Sequence, residues 1–373
     1  MSTTATTTAA VQEGIATLRL RGQSPPVKPQ ALRSEETQAR RDAADAQYGI
    51  YLPTFDDIKY PPLTDFDHSE PGLRALKHDD PKEFLKNATL VDDLTPLFGT
   101  EVKGVSLAQL DSRGREQLAL LVAERGVVAF RGQDEFINQS PEWLVDDWTA
   151  FFGRPHIHPT SSHPKDRPFF HLVYRDDDKV LNYETSDLFT SSVWHSDVTY
   201  EKQPPGLTAL WMFDSPPSGG DTAYASQVEA YNRLSPSFAA YLETLSVVHS
   251  GVAQAENSRG GNRGGVVRRE PIETVHPLVR RHPVTGKKAL FVNKQFSRRI
   301  VGLKTPESKA ILNVLYEHIA QGLDFQVRVR HQPGTVVLWD NRITAHSAIV
   351  DNYKGRRWGA RLTPQAEMPS QNP

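Results

Sequence analysis

Apolar side chains along this chain gather in short runs of strand length, separated by polar stretches that carry the turn formers. Leu207–Phe213, Ala289–Val292, Phe325–Arg330, Val336–Trp339, Thr344–Ile349 and Arg357–Leu362 are rich in β-branched and aromatic residues and predict strands. Val102, Val105 and Leu107 predict a further short strand, and Val127–Phe130 a buried one. Elsewhere a helical period takes over. Ser112–Arg125 places Leu118, Leu121 and Val122 on one stripe and stops at Gly126; Pro141–Phe152 has proline in its first turn and Gly153 past its end. Gln227–Leu245 is broken at Pro236, and Pro306–Gln321 is capped by Thr305 and followed by Gly322. Short strands bounded by Pro, Gly and Asp, with helices kept outside, predict a mainly β fold with flanking helices, a jelly-roll (double-stranded β-helix) or a barrel.

The same pattern divides the chain. Residues 1–47 are rich in Thr, Ala, Gln, Arg and Pro with few large apolar side chains, and predict a flexible N-terminal arm. Residues 48–94 set Tyr51, Phe55, Tyr60 and Phe66 among prolines, as an extended segment packed over a body would. The body is expected over 95–365, with a tail at 366–373. Within it, residues 251–271 concentrate glycine and arginine and predict a lid loop over a pocket. A Gly/Arg tract also suits RNA, but the interleaved aromatics that stack on bases are missing.

Composition then narrows the chemistry. The 373 residues carry a formal net charge of −2, which favours neither nucleic acid nor a membrane surface as a partner. With no cysteine, disulfides, thiolate metal sites and cysteine nucleophiles are excluded, and any metal must be held by nitrogen and oxygen. The first residues show no basic segment followed by an apolar one, and no apolar run reaches the length of a membrane span. A cytoplasmic protein is expected.

Candidate chemistry centres on Trp194–Tyr200, which reads as a strand. On a strand, His195 and Asp197 share a face and can converge on one metal ion. His346, in the strand–turn–strand unit that begins at Trp339, offers a third ligand. Two histidines and a carboxylate suit a non-haem Fe(II) oxygenase, which keeps positions open for substrate and O2. His-x-Asp by itself also fits a satisfied core histidine. His68, His78, His282, His318 and His331 lie in polar or helical contexts and read as surface or structural residues. Arg357 and Arg361 share a strand face roughly 13 Å apart, too far for one small anion, so a pocket with two anions is expected. Arg356 alternates outward and is expected to pair with an acid at the surface.

Several segments, in order and spacing, carry a resemblance: His156-Ile157-His158-Pro159, Trp194-His195-Ser196-Asp197-Val198-Thr199, Gly219-Gly220-Asp221-Thr222, Ala289-Leu290-Phe291-Val292-Asn293, and Trp339-Asp340-Asn341-Arg342 leading to His346. Over roughly residues 95–365 the chain resembles the taurine dioxygenase family of Fe(II)/2-oxoglutarate-dependent oxygenases. The resemblance implies iron ligation by His195, Asp197 and His346. It implies that Arg357 and Thr222 clamp the distal carboxylate of 2-oxoglutarate, that Arg361 and His158 hold a sulfonate, and that Phe296 walls the substrate pocket. Val198 and Tyr200 are expected beside the substrate. Ser161 and Ser191 depart from the family's tyrosine and asparagine at the positions that hold taurine's amine, which counts against taurine itself.

The long N-terminal extension is similar to that of fungal sulfonate dioxygenases, and a homo-oligomer, dimer or tetramer, is expected. The implied reaction uses Fe(II), 2-oxoglutarate and O2 to hydroxylate the carbon next to a sulfonate, releasing sulfite and an aldehyde with succinate and CO2. The same iron chemistry on a sulfate ester, a carboxylate or a fungal biosynthetic intermediate is the alternative. A metal-holding barrel without oxygenase activity is a different class, and a clamp for a second bound diacid speaks against it.

Overall fold

The computed structural model describes residues 35–176, 193–261, 265–349, 351 and 355–372. The chain divides into two compact units, Met1–Ala43 and Ala44–Pro373, and the second contains every element discussed below except the start of α1 (Glu35–Tyr48). Ten strands build its centre: β1 (Leu90–Asp93), β2 (Thr100–Lys103), β3 (Val127–Phe130), β4 (His171–Arg175), β5 (Leu207–Asp214), β6 (Thr222–Ser226), β7 (Gln326–Val329), β8 (Val336–Asp340), β9 (Thr344–Ala348) and β10 (Arg357–Leu362). Seven of them form a mixed sheet in the order β1-β2-β3-β8-β5-β10-β4, and three form a smaller antiparallel sheet in the order β7-β6-β9. β2 and β3 run parallel; the other pairs are antiparallel.

The two sheets bury one face against each other. Val127, Ala129, Leu210, Met212, Val337 and Trp339 from the large sheet meet Tyr224, Val327 and Val329 from the small one in a single buried cluster. Alternation places these residues on one face of each strand, and burial of that face holds the register, because a one-residue slip would turn it to the other side. On the opposite face of the large sheet a second core packs α2 (Ser112–Arg125), with Leu118, Leu121 and Val122 turned inward as their spacing predicts. Gly126 ends α2 at φ +73°, where a Cβ would lie 2.3 Å from the Phe98 ring. Only glycine fits that stop.

Most of the predicted strands are found within a residue or two. Gln227–Leu245 is two helices, Gln227–Asn232 and Pro236–Glu243, parted by the proline that predicted the break. The Pro141–Phe152 helix carries a π-helical stretch over Trp143–Thr149.

Four expectations are corrected. The segment read as an arm to residue 47 contains a helix, α1 (Glu35–Tyr48), because its Ala, Glu, Gln and Arg are strong helix formers even without an apolar stripe. Trp194–Tyr200 is not a strand: it makes a single bridge, His195 to His346, and then turns. Its β-rich composition is overridden by Asn341, which takes up both backbone groups of Asp197. The 251–271 stretch is not loop throughout but opens with a helix over Val252–Arg259, and Arg268 and Arg269 are buried anchors. Arg356 is buried, with Asp214 at 3.0 Å and Asp45 at 2.6 Å, since the large sheet's outer face is covered by chain from residues 44–51. Residues 1–34, Ser191 and 262–264 lie outside the described residues.

Candidate active site

The His195–His346 bridge brings together two segments more than a hundred residues apart. His195 and His346 exchange backbone bonds at 3.0 and 2.7 Å, and the Ser196 hydroxyl donates to Thr344 O. Their rings stand 4.3 Å apart between centroids. The turn that follows carries Asp197 back beneath both, with Oδ1 at 3.7 Å from each Nε2. That turn is strained: Val198 sits at φ +40°, unusual for a β-branched residue and costing about 1–3 kcal/mol. Asn341 holds it. Its side-chain oxygen accepts from Asp197 N at 2.7 Å, and its nitrogen donates to Asp197 O and Pro205 O.

The electrostatics prepare these three side chains as ligands. Burial by itself would raise the Asp197 carboxyl, but Arg361, His346 and His195 outweigh it and hold it well below the usual carboxylate range. Burial, followed by the neighbouring His195, pushes His346 well below an ordinary imidazole, so the ring is neutral at pH 7. His195 Nδ1 donates to Val193 O at 2.8 Å, which directs Nε2 toward Asp197. Both ring nitrogens of His346 and Oδ2 of Asp197 are buried with no hydrogen-bond partner among the described residues. Unsatisfied buried donors and acceptors are costly, and a divalent cation would satisfy them. Two nitrogens and an oxygen within 4.8 Å of one another fit Fe(II).

The other predicted residues, all but Ser191, lie among the described residues. Arg361 Nη1 lies 2.6 Å from Asp197 Oδ1. His158 is buried; its Nδ1 accepts from the backbone of Thr160 and Ser161, so the ring's proton sits on Nε2. Ser161 is buried, with a hydroxyl that has no partner. Phe296 stands edge-on to His195 and to Tyr200, at centroid separations of 6.4 and 5.1 Å, and packs with Val198. Arg357 donates to Gly220 O at 2.8 Å and to the Thr222 hydroxyl at 3.3 Å. Between the two arginines a bulge falls at Trp358/Gly359, where a Cβ on Gly359 would lie 2.3 Å from Trp211 O.

Some residues of the site escaped the sequence reading. His171 pairs with Arg361 across β4 and β10, and its ring is 4.4 Å from that of His158. His331, read as surface or structural, is buried with Nε2 at 3.0 Å from the Thr222 hydroxyl. Trp339 and Tyr224 pack on the His346 ring at 5.1 and 6.0 Å. Asn341 lies inside one of the quoted motifs, but only the fold reveals that it braces a ligand. His331 gave no local signal, because its place depends on how β7 pairs with β6.

Two imidazoles and a carboxylate beside an arginine–threonine pair form the donor arrangement of Fe(II)- and 2-oxoglutarate-dependent dioxygenases, and that is the class of this enzyme. A sequence model described as "Taurine catabolism dioxygenase TauD, TfdA family" matches residues 90–363. The chain is 43% identical over 329 residues to the alpha-ketoglutarate-dependent sulfonate dioxygenase of Saccharomyces cerevisiae, covering 87% of this chain and 79% of that one. It is 41% identical over 342 residues to the alpha-ketoglutarate-dependent dioxygenase cnsP of Penicillium expansum, covering 89% and 90%. A crystal structure of a taurine dioxygenase from Burkholderia xenovorans superposes with a TM-score of 0.61 at 31% identity, over 76% of this chain and 92% of that one. The chain belongs to the TauD/TfdA dioxygenase family. No helix among its described residues is long and apolar enough to cross a membrane.

Proposed function

We propose that this dioxygenase hydroxylates the carbon next to the sulfonate of an alkanesulfonate. One observation carries the reading: Arg361 lies at the carboxylate that completes the His195–Asp197–His346 corner, and His158, its proton on Nε2, packs 4.4 Å from the ring of His171, the partner of Arg361 across the sheet. An anion held by these two donors is fixed within reach of the metal position, which is a positioning effect on one particular C–H bond. The similarity to a sulfonate dioxygenase of yeast supports the same substrate class. In this reading the two packed sheets are the halves of a double-stranded β-helix.

His195, Asp197 and His346 hold the iron, and Arg357 with Thr222 holds the distal carboxylate of 2-oxoglutarate. Fe(II), 2-oxoglutarate and O2 supply the oxidising chemistry, leaving succinate and CO2. Phe296, Val198 and Tyr200 form the apolar wall that excludes water and faces the alkyl part of the substrate. Ser161 lines the far side. Once hydroxylated, the carbon loses sulfite: the C–S bond breaks with its electron pair to sulfur, the hydroxyl gives up its proton, and an aldehyde remains. The substrate is a small anion, the protein acts in the cytoplasm, and it assembles as a dimer or tetramer.

The test is a panel of alkanesulfonates, sulfate esters and carboxylates with Fe(II), ascorbate and 2-oxoglutarate, reading succinate and sulfite. Both products are expected from at least one alkanesulfonate. Succinate from other substrates, with no sulfite from any sulfonate, overturns the substrate class and leaves the sulfate-ester, carboxylate or biosynthetic reading. Ser161 and the 41% identity to the Penicillium dioxygenase are the observations on that side.

A further inference from the structure

Thr222 is asked to do two things with one hydroxyl. Its oxygen lies 3.3 Å from Arg357 Nη2 and 3.0 Å from His331 Nε2. A hydroxyl has one proton to give and two lone pairs to receive. Arginine can only donate, so Arg357 occupies one lone pair. The direction of the remaining proton is then decided by the imidazole. A bare Nε2 draws the proton to itself, and none is left for a bound ligand. An Nε2–H fills the second lone pair and sends the proton outward.

His331 is free to take either form. It is buried, and its Nδ1 has no hydrogen-bond partner among the described residues, so among them no contact other than Thr222 selects a tautomer. Burial, with Arg357, Arg131 and Arg361 nearby, keeps the ring neutral, leaving a choice between two neutral tautomers and no third cation. The placement follows from the small sheet: Thr222 on β6 is registered opposite Val329 at the end of β7, and His331 follows two residues later.

We infer that His331 is a positioning residue for the co-substrate: through its Nε2–H tautomer it turns the Thr222 proton toward the distal carboxylate of 2-oxoglutarate. The inference rests on the reading of Arg357 and Thr222 as that carboxylate's clamp. Diacid binding and tautomer are then coupled, since each favours the other. His331 touches neither reactant and acts only through Thr222.

Two measurements test it. Calorimetric titration of 2-oxoglutarate into Mn(II)-loaded protein should give a roughly tenfold weaker Kd for His331→Leu, the size of one buried hydrogen bond. His331→Gln, whose amide can place an N–H near the Nε2 position, should recover most of that loss. In turnover, KM for 2-oxoglutarate should rise while kcat stays within about twofold, a split that general loosening of the fold would not produce. Nitrogen-15 NMR of Zn(II)-loaded wild-type protein should show His331 as the Nε2–H tautomer once 2-oxoglutarate is bound, a readout that needs no variant to fold. An Nδ1–H tautomer in that complex overturns the inference, as does wild-type affinity in His331→Leu when Arg357→Ala has lost it. Wild-type affinity in Arg357→Ala would overturn the clamp itself.

Discussion

Two clusters of histidine and carboxylate, one largely buried and one half-buried, flank the turn Asp340–Arg342, and their unsatisfied atoms are disposed in opposite ways. On one side, His68, Glu70 and Glu367 place ligand-type atoms within 4.8 Å of one another, as do His195, Asp197 and His346 on the other. By distance alone both would hold a metal. In the first, Arg342 bonds Glu70, Glu367 and Asp340 together, Arg280 bonds Glu367, and His282 lies 2.9 Å from Asp340. In the second, Asp197 has one arginine contact, while its other oxygen and both nitrogens of His346 have none. Proximity of ligand atoms therefore identifies nothing until their hydrogen bonds are counted. The arginine hub is a structural rivet; the other cluster is a binding corner.

The comparison is broken most sharply by removing a ligand. His346→Ala should lose stoichiometric Fe(II), measured by metal analysis, with turnover down on the order of a thousandfold or more and little loss of stability. The hub should answer in the reverse way. Arg342→Ala leaves buried carboxylates unpaired and should destabilise the fold by about 3–5 kcal/mol in urea unfolding, while the folded fraction still takes up one metal.

Acid sharpens the same contrast. Burial would raise the Glu70 carboxyl, but Arg342 and His68 bring it down to about 2. A carboxyl lowered on folding stabilises the protein above its unfolded value near 4.5 and loses that contribution as pH falls toward 2. The free energy of unfolding should drop through that window, and Glu70→Gln should flatten the drop by roughly 3 kcal/mol. Asn341 lies between the two clusters, so its effect should be smallest and mixed. Asn341→Ala should weaken Fe(II) binding by about 10–100-fold through the loosened Asp197 turn. If metal affinity is unchanged, the turn is held by other contacts.

Much of the binding corner was legible because its residues lie on strands. Arg357 and Arg361 occupy β10 at the boundaries that composition predicted, and alternation alone placed them on one face. Ser112–Arg125 was bounded by its glycine stop, a local signal, and the structure adds Asp111 as the cap at its start. The hub was not legible. Arg342 meets Glu70, 272 residues earlier, and nothing near either residue announces the other. The Trp194–Tyr200 turn was misread for a related reason: its composition favours a strand, and the residue that bends it is Asn341, 144 positions away. Local propensity yields to a distant partner when that partner takes the backbone groups a ladder would have used.

β10 has one more consequence. Under the proposed function it carries, on a single rigid rod, the side chain that would meet the oxidised diacid and the side chain that would meet the oxidised substrate, with Gly359 between them pressed against Trp211 O. The rod is a ruler for the two reactants. Inserting or deleting one residue within it would turn one of the arginines to the other face of the sheet, so this spacing cannot drift by small steps. Descendants of this enzyme can change what they oxidise by exchanging side chains around Phe296 and Tyr200. They cannot do so by stretching the distance between the two anions.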